Sequence, residues 1–159
     1  MTLLKLWRKV MGNVVLKRID ESNFIDCFHL KLAAGQEKYV SNPIRSLAQA
    51  YVYYCQCTPF GIYAENTMVG YVMVIYDYDE DVYNIWHLMI DKDFQGNGYG
   101  KEALRGVLRY ISSKPFGQSK TVLLTCNPEN KIAYSLYRQI GFIETGRSDD
   151  DELELGISL

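Results

Sequence analysis

The chain is short of cysteine, of net charge and of long apolar runs, and each shortage removes a class of protein. Lys and Arg number 17 against 19 Asp and Glu, a net charge of −2 over 159 residues. With no basic footprint to neutralise phosphates, nucleic acid is a poor partner and a small molecule is expected. The four cysteines, Cys27, Cys55, Cys57 and Cys126, lack the spaced pairs of a zinc site. No His or Cys stands near Cys55-x-Cys57 to complete a ligand set, so free buried thiols and no metal are expected. No continuous apolar run forms a signal-peptide core or a membrane span, which points to a cytoplasmic protein. Lys5, Arg8 and Lys9 lie among apolar residues, leaving residues 2–11 as a surface amphipathic helix or part of a loose extension over residues 1–12. Repeats and low-complexity segments are also missing, and the length suits one domain over residues 1–159.

What is present is a run of alternating glycines. Gly96, Gly98 and Gly100 follow an apolar strand ending at Ile90 and precede an amphipathic helix. They remove side chains that would hold a ligand phosphate away from the backbone, and the following helix offers free N–H groups and the positive end of its dipole. A phosphorylated cofactor is expected there. The spacing does not fit the dinucleotide fingerprint G-x-G-x-x-G, and the acidic residue expected about 20 positions later is absent. No Walker lysine followed by Ser or Thr is present either.

The pattern Gln95-x-x-Gly98-x-Gly100 resembles the acyl-CoA-binding signature of the GNAT superfamily of N-acyltransferases. A second segment, Asn127 to Phe142, is similar to that family's other hallmark. There a strand ends near an Asn, a short helix carries Ala133-x-x-Leu136-Tyr137, and Gly141-Phe142 turns the chain into the next strand. The resemblance covers residues 58–157. Gln36-x-x-Tyr39-Val40, Ser46 to Ala50 and the run Ile85 to Asp91 look like bacterial spermidine/spermine (diamine) acetyltransferases.

Local patterns agree with an α/β (α+β) chain. A β-prone run at Val14–Ile19 precedes a helix after Ser22, with Phe24, Cys27, Phe28 and Leu30–Leu32 at helical spacing. A second helix from Pro43 to Tyr54 has Ile44, Leu47, Ala48 and Tyr51 on one apolar face. Strands are expected at residues 60–64 and 69–76, forming a hairpin, and again at 82–90. A helix over 100–113 and a buried strand over 121–125 complete a right-handed βαβ crossover, which makes the strands at 82–90 and 121–125 parallel. A helix over 130–140 and edge strands at 142–146 and 153–158 follow. The resemblance implies the GNAT acyl-CoA N-acyltransferase fold, with a mixed, mostly antiparallel central sheet of six to seven strands and about four helices.

The resemblance also implies attack of a neutral amine on acetyl-CoA, and assigns candidates. Backbone N–H groups of Gln95, Gly96, Asn97, Gly98, Tyr99, Gly100 and Lys101 would hold the pyrophosphate. Met89 and Ile90 would pair main chain with the pantetheine arm, and Asn130 would contact it or serve as a helix cap. Tyr137 takes the place of the tyrosine that donates to the CoA sulfur, and a phenol of pKa about 10 suits a donor. Many members carry an acidic base where Trp86 stands here, so His87 is the candidate base, with Glu37, the Asp77–Asp81 loop and a water chain as rivals. Glu37, Asp77, Asp79, Glu80 and Asp81 with Trp86 could attract a polyamine through charge and cation–π contact, or be solvated surface. Other readings are acetylation of a protein or an aminoglycoside, or a non-catalytic acyl-CoA sensor. The resemblance leaves a homodimer open.

Overall fold

The computed structural model describes residues 14–159, and the segment expected at residues 2–11 lies outside them. A seven-stranded sheet has the order β1-β2-β3-β4-β5-β7-β6. Its strands are β1 (Val14–Arg18), β2 (Cys57–Ala64), β3 (Thr67–Asp77), β4 (Val82–Ile90), β5 (Thr121–Cys126), β6 (Ile143–Asp149) and β7 (Glu152–Ser158). The helices are α1 (Asp26–His29), α2 (Pro43–Val52), α3 (Tyr99–Ser112) and α4 (Lys131–Ile140). All neighbours run antiparallel except β4 and β5, which pair in parallel at Tyr83↔Val122 and Asn84↔Leu123. The expected crossover is therefore present, with α3 inside it. No helix among the described residues is long and apolar enough to cross a membrane.

The two sheet faces carry separate cores. On one, α3 and α4 cover Val72, Val74, Ile85, Val122 and Leu124. Helix α3 is held there by Ala103, Leu104, Val107 and Ile111, all fully buried, with Leu, Val and Ile each worth roughly 1.5–3 kcal/mol of transfer energy. On the other face α1 and α2 cover Cys57, Tyr71, Met73 and Met89. All four cysteines are free, and Cys55 is exposed rather than buried.

Three elements depart from the sequence pattern. The first helix is a single turn, because Leu30 turns extended and the next residues are claimed by the end of β4. Lys31 N–H donates to Asp91 Oδ2 at 2.7 Å, and Lys92 N–H donates to Lys31 O at 2.9 Å. Helix α2 is rotated from its apolar face: Ile44 (55 % exposed), Ala48 and Tyr51 (82 %) point outward, while Pro43, Ser46 and Ala50 are buried. Small residues let the helix lie close on β2 and β3, which large ones would prevent. Finally, β7 is no edge strand. It inserts between β5 and β6, pairing with β5 over Thr121–Cys126, and leaves β6 as the exposed edge.

Candidate functional site

β4 and β5 share only the Tyr83 and Asn84 pairings, and beyond them the strands part. The gap is a cavity of about 780 Å³. Ile85 to Ile90 of β4 line one wall, Thr125 to Asn127 and the start of α4 line the other, and the glycine loop closes one end.

A bulge gives the β4 wall its chemistry. Opposite β3, Met73 pairs with His87 but Val74 pairs with Ile85, so Trp86 is the extra residue. Ile85 thereby joins the core under α3, while His87 faces the α2 side with Met73 and Met89. Trp86 is 37 % exposed, stacks on the His87 ring at 5.2 Å and meets the Tyr53 edge at 5.4 Å. His87 Nε2 lies 3.0 Å from Gln49 Oε1. Burial, and then the Arg45 charge, push its pKa down to about 4, so the ring is neutral at pH 7 and a weak proton store.

In the glycine loop the polar side chains are spent on holding the loop in place. Gln95 Nε2 donates to Ile90 O and to Gln36 Oε1, both at 2.9 Å, and Asn97 Nδ2 donates to Phe94 O at 2.9 Å. Gly96 and Gly98 both sit at φ +79°, and a Cβ on either would meet nothing within 4 Å. Such a side chain would stand in the space a ligand needs. Gly98 caps α3, whose first intrahelical bond to it comes from Glu102 N–H, so the N–H groups of Tyr99, Gly100 and Lys101 have no helical acceptor. Gly100 serves packing instead. A Cβ there would lie 3.3 Å from Leu136 Cδ2, so its absence permits α3 to approach α4. Lys101 adds positive charge to this part of the lining, and Lys131 lines the cavity at the start of α4.

Across the cavity, Asn130 Oδ1 accepts from Ala133 N–H at 3.3 Å as the cap of α4, and the Asn130 amide nitrogen has no partner among the described residues. Tyr137 is 9 % exposed and rests edge-on against Phe142. Burial first, then Cys126 and Glu152, push its phenol well above the usual range, so it stays protonated.

The cavity thus brings together Met89, Ile90, Gln95, Gly96, Gly98, Tyr99, Gly100, Lys101, Asn130, Tyr137, Trp86 and His87. Asn97 braces the loop from outside the lining. The expected acidic attractors are elsewhere, a correction to the sequence reading. Glu37 is exposed and outside the lining. Asp77 ends β3 and Glu80 lies in the turn between β3 and β4, at the end away from the glycine loop. There Asp77 Oδ1 accepts from the N–H groups of Asp79 and Glu80, and Glu80 pairs with Arg147 at 2.9 Å.

The sequence reading missed Glu152, which lines the cavity and accepts a hydrogen bond from Thr125 Oγ1. It also missed Gln49. Glu152 is hidden in the acidic run Asp149–Glu152, and the pairing of Leu153 with Cys126 is what carries it to the groove. Only a β5–β7 register would have exposed that proximity.

A family model described as "Acetyltransferase (GNAT) family" matches residues 25–142. Among curated proteins, a probable spermine N(1)-acetyltransferase from Bacillus subtilis subsp. natto is 28% identical over 145 residues, 86% of this chain and 92% of its own. Among solved structures, spermidine N-acetyltransferase from Vibrio cholerae, in complex with CoA and spermine, superposes with a TM-score of 0.74 at 17% identity over 93% of this chain and 96% of that one. An acetyltransferase from Salmonella typhimurium that modifies the N-terminal serine of a 50S ribosomal subunit protein superposes with a TM-score of 0.71 at 13% identity, over 94% and 97% of the two chains. The structural likenesses concern the fold; the family match covers most of the chain.

Proposed function

This chain belongs to the GNAT acetyltransferase family, and from that premise we propose that it acetylates a primary amine of a small di- or polyamine. It is an N-acetyltransferase whose acyl donor is acetyl-CoA, which supplies the acetyl group as an activated thioester. The residues present fit that donor. A Cβ at Gly96 or Gly98 would stand in the open space beside the loop, and the unbonded N–H groups of Tyr99, Gly100 and Lys101 suit a pyrophosphate, with Lys101 adding charge.

The observation that carries the acceptor class is Glu152. Among the described residues lining the cavity it is the one carboxylate, and exposed Trp86 stands on the β4 wall of the same cavity. A carboxylate would bind the ammonium that does not react, and an indole face would accept the same charge through cation–π attraction. Tyr137 keeps a proton on its Oη for a departing sulfur, and His87 offers a neutral ring to the incoming amine. The curated spermine acetyltransferase relative supports this class.

The test is release of free CoA thiol across spermidine, spermine, diamines, monoamines, aminoglycosides and short peptides with free N-termini. Saturable turnover of di- and polyamines is expected. Glu152→Gln should raise their KM about ten-fold, the worth of one charge-assisted hydrogen bond, and leave monoamines unchanged. Turnover of peptides alone, indifferent to Glu152→Gln, would assign the acceptor to protein N-termini instead.

A further inference from the structure

We propose that Gln49 is a positioning residue that holds His87 as its Nε2–H tautomer, so that Nδ1 is the acceptor presented to the attacking amine. The proposal rests on the reading that the amine arrives at the Trp86–His87 part of the cavity. Its own basis is the contact between α2 and the β4 bulge. His87 Nε2 and Gln49 Oε1 are 3.0 Å apart, and a carbonyl oxygen only accepts, so the imidazole proton belongs on Nε2. A neutral imidazole then has its lone pair on Nδ1.

Packing fixes the ring as well as its proton. Trp86 lies over the His87 ring with an interplanar angle of 21°, and its other contact, Tyr53, belongs to the end of α2. Gln49 comes from the same helix between the buried Ser46 and Ala50. The bulge is what aims the ring here, since it turns His87 away from the core that receives Ile85.

Burial first, and the Arg45 charge second, keep His87 neutral. Arg45 acts on it from α2, Met73 opposite on β3 carries none, and Tyr39 and Glu152 share the cavity lining. Uncharged Gln49 completes a setting in which the ring accepts a hydrogen bond from an amine N–H without being converted to imidazolium. A carboxylate at position 49 would reverse this by favouring the charged ring.

Nitrogen-resolved NMR of the ligand-free protein reads the tautomer directly, with His29→Gln used to assign the two histidines. The wild type should show Nε2–H and remain neutral well below pH 6. Gln49→Met removes the carbonyl at similar size and should give a mixed tautomer, with kcat lowered about ten-fold and the Kd for CoA unchanged. Gln49→Glu should raise the His87 pKa by at least about one unit and shift the acid limb of the kcat/KM profile upward, with activity rescued at higher pH. An unchanged kcat in a variant whose tautomer has changed would overturn the proposal, as would an Nδ1–H ring in the wild type. A wrong acceptor class would show differently: turnover would move to peptides, and the Gln49 effects would persist on them.

Discussion

At the glycine loop the cavity is lined from one contiguous stretch, Gln95 to Lys101 with Asn97 behind it, whereas around Trp86 its wall is built from side chains of β4, β5 and β7, with α2 bonded to that wall through Gln49. The difference is one of chemistry. A pyrophosphate is met by N–H groups, which every residue but proline has, so that end needs only the right conformation and no side chain in the way. An amine must be oriented and its charge matched, which takes particular side chains brought from distant segments. One end can be kept by glycines alone, while the other depends on a bulge, a helix rotation and a strand insertion.

The sharpest way to break that comparison is Gly98→Val. A branched residue at φ +79° is strained by about 1–3 kcal/mol, and its side chain would enter the open side of the loop. Loss of even two charge-assisted hydrogen bonds, at about 1.5–3 kcal/mol each, would weaken CoA binding by 100-fold or more in titration calorimetry. A variant that only melts earlier, with CoA affinity intact, would mean the phosphate lies elsewhere. Tyr137→Phe should act at the chemical step alone. The ring stays in its pocket against Phe142, so kcat is expected to fall about 100-fold with little change in CoA affinity. Equal kcat in wild type and variant would leave Tyr137 a packing residue.

The same contrast explains what can be read from the chain. Strands β2 to β5, helices α3 and α4 and the glycine loop are local features, set by periodicity and by glycines within a few residues of one another. Periodicity alone turns the apolar stripe of helix α2 inward, but Ile44 and Tyr51 face out because close approach to β2 and β3 requires Ser46 and Ala50. The helix expected up to Leu32 ends at His29 because Asp91, some sixty residues on, takes the Lys31 N–H. Both differences are tertiary contacts overriding local pattern. Glu152 is illegible for a related reason: its place depends on β7 inserting beside β5. Asp77 and Glu80 suggest an amine site by composition, yet a turn and an ion pair with Arg147 account for them.

A further effect concerns stability, and it separates His87 from the carboxylates. Its folded pKa is held at about 4, below the ordinary value of 6.5, so the folded protein favours the neutral ring. Between those values the unfolded chain binds a proton that the folded one refuses. Stability from this group is therefore complete above pH 6.5 and is lost as pH falls toward 4, by at most about 1.4 kcal/mol per pH unit. Urea midpoints for the wild type should decline through that window, and His87→Gln should flatten the decline. Asp20 and Glu80, whose pKa values are lowered by bonds to Ser22 and Arg147, lose their contribution only at lower pH, as they protonate. A wild-type decline confined to that more acidic range, unaffected by His87→Gln, would show that α2 does not seal His87 from water. The side-chain end of the cavity would then be as open as the main-chain end.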